Sequence, residues 1–114
     1  MEPKVIEKLR RNQLLRTLPD GREAVDVTLQ FLGSVPPVPR QERKEWLRDR
    51  FLTVEQHVGG EKLGVKPDSL SVSAQTIEAT VPLHRIEELR KELSHEDCRL
   101  DVMIPTQVID PSDP

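Results

Sequence analysis

Four stretches of alternating apolar and polar residues, separated by helical stretches in a set order, constrain this chain more than any other feature. Val25, Val27, Leu29 and Phe31 alternate with Asp26, Thr28 and Gln30. Leu70, Val72 and Ala74 alternate with Ser71 and Ser73, and Ile77, Ala79 and Val81 with Glu78 and Thr80. Leu100, Val102 and Ile104 alternate with Asp101 and Met103. Successive side chains of a strand point to opposite faces, so each pattern predicts a strand that buries one face.

Between these strands the period changes. Leu47, Phe51, Val54 and Val58 recur at helical spacing with Trp46 beside them, while Arg40, Arg43, Lys44, Arg48 and Asp49 take the other face. Pro39 suits the start of that helix, and Gly59-Gly60 its left-handed end. Ile86, Leu89 and Leu93 make the buried stripe of a second helix, with Glu87 and Lys91 as an exposed pair one turn apart. The prediction is strand over 24–33, helix over 40–58, strand over 63–74, a turn at Gln75, strand to Pro82, helix over 83–94 and strand over 99–104. That βαββαβ order predicts an α+β, ferredoxin-like fold: a four-stranded antiparallel sheet with two helices on one face.

A leading helix is predicted over residues 2–18, with Val5, Ile6, Leu9 and Leu15 on one side, closed by the turn Pro19-Asp20-Gly21. The chain then divides into a helix and turn over 1–22, the sheet domain over 23–105 and an extended tail over 106–114. Pro105, Pro111 and Pro114 keep that tail out of regular structure.

Composition narrows the function classes. At 114 residues the chain is one domain's worth and buries roughly 65% of its unfolded surface without a staple. Its single cysteine, Cys98, forms no intramolecular disulfide, and with three histidines it shows no metal-ligand spacing. Met1 leads into charged residues without an apolar signal segment, and no apolar run is long enough to span a membrane. A soluble, cytoplasmic protein is expected, an excised fragment being the other reading. The formal net charge of −3, with mixed signs, lacks the basic surplus of a nucleic-acid binder.

Catalytic motifs are missing from the pattern. His57, His84 and His95 fall on or beside predicted helices, away from any serine or cysteine motif. Cys98 follows Glu96-Asp97, an acidic setting that raises a thiol pKa, and reads as a partly buried residue beside the sheet. A non-catalytic chain without cofactor or metal is expected. The predicted outward row, Asp26, Thr28, Gln30, Ser71, Ser73, Glu78 and Thr80, carries no aromatic to stack a base. It is instead a flat polar surface, open to water or to a partner's helices.

Residues 71–92, SVSAQTIEATVPLHRIEELRKE, followed by 98–110, CRLDVMIPTQVID, resemble the propeptides of subtilisin-like serine proteases and their freestanding inhibitor relatives. Ala79-Thr80-Val81 running into a helix with Ile86 and Leu89 carries the resemblance, and residues 23–33, EAVDVTLQFLG, look like the opening strand of such domains. In that family the open sheet face lies against two helices of the protease and the C-terminal tail enters the substrate cleft. The resemblance implies a sheet-face site at Thr28, Gln30, Ser71, Ser73, Glu78 and Thr80, and a tail site at Thr106, Gln107, Val108, Ile109 and Asp110. It implies a protein partner, a subtilisin-like protease, that the chain inhibits or chaperones, with Glu78 and Asp101 as caps for the partner's helix N-termini. A second reading is a scaffold domain that binds another protein or forms a homo-oligomer. A third, resembling ACT-type regulatory domains, places a small ligand near Gly33.

Overall fold

The structure, a computed structural model, describes residues 2–57 and 64–103. It is an α+β arrangement of three helices and one five-stranded antiparallel sheet. Helix α1 spans Pro3–Arg11, β1 Leu15–Thr17, β2 Glu23–Phe31, α2 Arg40–His57, β3 Lys66–Ser71, β4 Thr76–Pro82, α3 Ile86–Ser94 and β5 Cys98–Val102.

The first helix is shorter than its apolar spacing predicts. Pro3 opens it, where a missing N–H costs nothing. It closes at Arg11 because Leu14 N donates to Leu9 O at 2.9 Å and Gln13 N to Arg10 O at 3.1 Å. Gln13 sits at φ 58, the left-handed residue of a Schellman closure. Leu14 then packs toward the core that buries Leu9. The chain leaves this closure extended, and β1 pairs with β2 from Leu15↔Val25 to Thr17↔Glu23. The expected helix over 2–18 is thus a helix followed by a strand, and the expected four-stranded sheet gains a fifth.

β2 is the centre of the sheet. On one side it pairs with β4, from Ala24↔Pro82 to Gln30↔Thr76. On the other it pairs with β1 along its first residues and with β5 from Val27↔Val102 to Phe31↔Cys98. β3 pairs with the far side of β4. Across the middle the neighbours run β3, β4, β2, β5, every contact antiparallel.

Of the inward set of the alternation, Leu70, Val72 and Val102 are half-buried and Ala74 is exposed in the turn after β3, whereas Val25, Val27, Leu29, Phe31, Ile77, Ala79, Val81 and Leu100 are buried. Leu9 from α1, Leu47, Phe51 and Val54 from α2, and Ile86, Leu89 and Leu93 from α3 join them in one core. Fully burying a side chain of this size is worth about 1.5–3 kcal/mol, so this face holds the fold together. Trp46 meets Phe31 edge-on with ring centroids 5.4 Å apart, and the Arg50 guanidinium lies 5.5 Å from the Phe31 centroid.

Other boundaries move by a few residues. β3 stops at Ser71 rather than reaching Ala74, because Ser71↔Thr76 closes a turn over 72–75 with Gln75 at φ 57. Gln75 Nε2 fastens that turn to Phe31 O at 2.9 Å. The second main helix begins with a 3₁₀ turn, Leu83–Arg85, before α3 proper. The last strand starts at Cys98. The predicted roles of Val58, Gly59, Gly60, Ile104 and Pro105 lie outside the described residues. No described helix is long and apolar enough to cross a membrane.

Candidate functional site

With the helices packed on the Val27 side, Asp26, Thr28 and Gln30 of β2 and Thr76, Glu78 and Thr80 of β4 form the opposite face, whose far end, at Ala24 and Pro82, is buried. Register sets its rows. Thr28 stands between Asp101 of β5 and Glu78 of β4, and Glu78 faces Lys66 of β3. Gln30 stands between Arg99 and Thr76, and Thr76 faces Ser71. Asp26 faces Thr80.

Of the predicted sheet-face residues, Thr28, Gln30, Ser71, Glu78 and Thr80 share this surface and are each half-buried. Ser73 does not join them. It is exposed in the turn after β3, so its predicted place on the sheet is corrected. The alternation continues through Ser73 in sequence, but the strand has already turned. The tail residues Thr106, Gln107, Val108, Ile109 and Asp110 lie outside the described residues.

The face is more charged than the row of hydroxyls suggested. Asp26 receives Arg16 Nε at 2.9 Å and Thr80 Oγ1 at 2.8 Å, with Lys66 Nζ 3.5 Å away. Burial alone pushes the Asp26 carboxyl up, but the hydrogen bonds from Arg16 and Thr80 and the charges of Lys66 and Arg16 outweigh it and hold it below the usual carboxylate range. At the β5 edge Arg99 Nε meets Asp101 Oδ2 at 2.8 Å. The Glu78 carboxylate has no hydrogen-bond or ion-pair partner among the described residues, although its backbone N–H is held by Ser69 Oγ at 2.8 Å. Beside Thr80 a shallow depression of about 350 Å³ is walled by Leu18, Pro19, Gly64 and Pro82.

Arg16 and Lys66 escape a reading of the sequence. Arg16 falls in what looks like a helix, and Lys66 precedes Pro67 in a strand without clean alternation. The alternation of Arg99 and Asp101 about Leu100 was the one visible signal for the β5 part of this face.

Elsewhere the chemistry is quiet. Cys98 is 3% exposed in the core, and its thiol is pushed up to about 11, first by burial and then by Glu96 and Asp97 against the charge of Arg50. The acidic neighbours that the sequence pointed to are therefore the smaller cause. His84 and His95 are exposed at the two ends of the α3 segment. Among the described residues no group of three His, Cys, Asp or Glu side chains is placed to hold a metal ion. No protein-family model matches this chain, and no curated protein or solved structure matches it.

Proposed function

We propose that this chain is a non-catalytic protein-binding module of the ferredoxin-like type, which receives two helices of a subtilisin-like serine protease on its open sheet face and restrains or chaperones that enzyme. The neighbour order β3, β4, β2, β5, with α2 between β2 and β3 and α3 between β4 and β5, supports the fold assignment. β1 is then an addition beside the first turn of pairing on β2.

The observation that carries the reading is the placement of Glu78 and Asp101 on either side of Thr28. Two strand spacings separate them, about 10 Å. Packed helices lie about 8–10 Å apart. Two carboxylates at this separation match the positive N-termini of two helices laid side by side. Thr28, Gln30, Ser71 and Thr80 between and around them are short or half-buried, so docking freezes few rotamers. The tail, Thr106 to Asp110, would add to the cleft edge by backbone hydrogen bonds.

Titration of a broad-specificity subtilisin tests this. Stoichiometric inhibition is expected, weakened at least about tenfold by Glu78→Lys through like-sign contact with a helix N-terminus. A tail truncation lacking 106–114 is expected to weaken it as well. Absence of inhibition by the folded chain would overturn the protease reading.

A further inference from the structure

The two outer strands of the sheet are built differently. β3 is blunted: Pro67 offers no N–H, and the register with β4 shifts between Lys66 and Ser71. Ser69 Oγ fills the gap, donating to Lys66 O at 2.6 Å and accepting from Glu78 N at 2.8 Å. β5 has neither proline nor bulge, although the Arg90 guanidinium reaches its outward carbonyl at Leu100. Its five residues pair with β2 in unbroken register, and no described strand covers its outer side.

The backbone directions along β5 follow from its ends. Leu32 N donates to Asp97 O at 2.7 Å and Met103 N to Asp26 O at 3.1 Å. In an antiparallel ladder the groups alternate, so Asp97, Arg99, Asp101 and Met103 turn theirs toward β2. Cys98, Leu100 and Val102 therefore turn theirs outward. Arg90 Nε, 3.4 Å from Leu100 O, is the contact seen there.

We propose that this edge pairs antiparallel with the same edge of a second copy of the chain, about a two-fold axis through Leu100. Leu100 then faces Leu100 of the second copy as a hydrogen-bonded pair, and Cys98 faces Val102 on either side. That gives about six inter-chain backbone hydrogen bonds. Arg99 faces Asp101 of the second copy, and Asp101 faces Arg99, at the closer, non-hydrogen-bonded positions. Both side chains are exposed, at 61% and 53%.

The charges also select this register. Slipping the pairing by two residues sets Arg99 against Arg99 or Asp101 against Asp101, and a slip of one turns the strand's apolar side outward. A parallel pairing in register opposes like charges throughout. Among registers that pair all five residues of β5, the antiparallel one centred on Leu100 is self-complementary, as an isologous two-fold contact requires. The groove of about 450 Å³ between α3 and this edge is walled by Arg90, Ser94 and Leu32. Leu32 is 60% exposed, and the arriving strand would cover it. This contact uses the sheet edge and shares only Asp101 with the protease reading of the sheet face, so Glu78 separates the two.

Analytical ultracentrifugation from micromolar to millimolar concentration tests it. The parent chain is expected to pass from monomer to dimer. Arg99→Asp puts two carboxylates on the edge and Asp101→Arg two guanidiniums, so each variant alone should dimerise at least about tenfold more weakly. An equimolar mixture of the two variants should recover the dimer as a heterodimer, and the double variant as a homodimer. The exposed Arg99–Asp101 pair within one chain contributes little to stability, so both variants should keep the parent's circular dichroism. A parent chain that stays monomeric throughout, single variants that dimerise like the parent, or a mixture that stays monomeric would each overturn the proposal. Glu78→Lys should leave the dimer intact while weakening protease inhibition, so the two readings fail separately.

Discussion

Asp26 shows how a single polar residue acquires its role from its neighbours. In the sequence it is one polar member of an alternating strand. In the fold it accepts from Arg16 and Thr80 and attracts Lys66, which joins β1, β2, β3 and β4 across the open face. Because its folded pKa lies below the unfolded value, its contribution to stability is present above the ordinary carboxylate pKa and is lost as pH falls through the folded one. Asp26→Asn is therefore expected to destabilise the protein by about 1 kcal/mol at neutral pH. The gap between variant and parent should start to shrink near the ordinary carboxylate value, about 4, where the unfolded chain takes up its proton, and close as pH falls through the lower folded value. Chemical denaturation at a series of pH values would measure both. A gap that stayed constant into acid would show that the Asp26 charge does not matter.

At the scale of elements, boundaries are set by closures that residue type announces poorly. Gly or Asn at position 13 would have marked the stop of α1, but the left-handed position is Gln13, and Asn12 stands one residue before it. The helical spacing of Val5, Ile6, Leu9 and Leu15 therefore reads on past it. The stop is decided by the bond from Leu14 N to Leu9 O and by the pairing gained when Leu15–Thr17 meets β2. Gln13→Gly is expected to stabilise the protein by about 0.5–1 kcal/mol, since glycine takes this backbone conformation without a Cβ penalty. Gln13→Val should destabilise it by at least as much, and thermal unfolding would read both. Equal melting temperatures for the two variants would show that the closure does not hold this φ. The strand expected from residue 24 and the helix expected from residue 40, by contrast, were legible because several inward residues in a row repeat the same period.

At the scale of the molecule, one face of the sheet carries stability and the other is the face we propose for recognition. Leu29 sits fully buried in the middle of the central strand, beneath the helices. Leu29→Ala is expected to cost about 2–5 kcal/mol, a large share of a small domain's stability. Glu78→Gln, one strand away on the opposite face, should change stability by less than about 0.5 kcal/mol, because no described partner holds its carboxylate. Urea titration of both variants would test this division. A Glu78 variant as unstable as the Leu29 variant would mean that the open face also bears the fold.

The alternation from Val25 to Phe31 and from Ile77 to Val81, with helical stripes at Leu47–Phe51–Val54 and Ile86–Leu89–Leu93, determined which residues are buried and the order of the main elements. These depend on periodicity, which is local and repeated, so each residue confirms its neighbours. Only the tertiary structure decided that Leu15–Thr17 is a strand, that Ser73 leaves the sheet, and that Arg16, Lys66 and Thr80 meet at Asp26. Those outcomes depend on pairing between segments far apart in the chain. Register is an energy of contact between strands, and no single strand carries it in its own pattern.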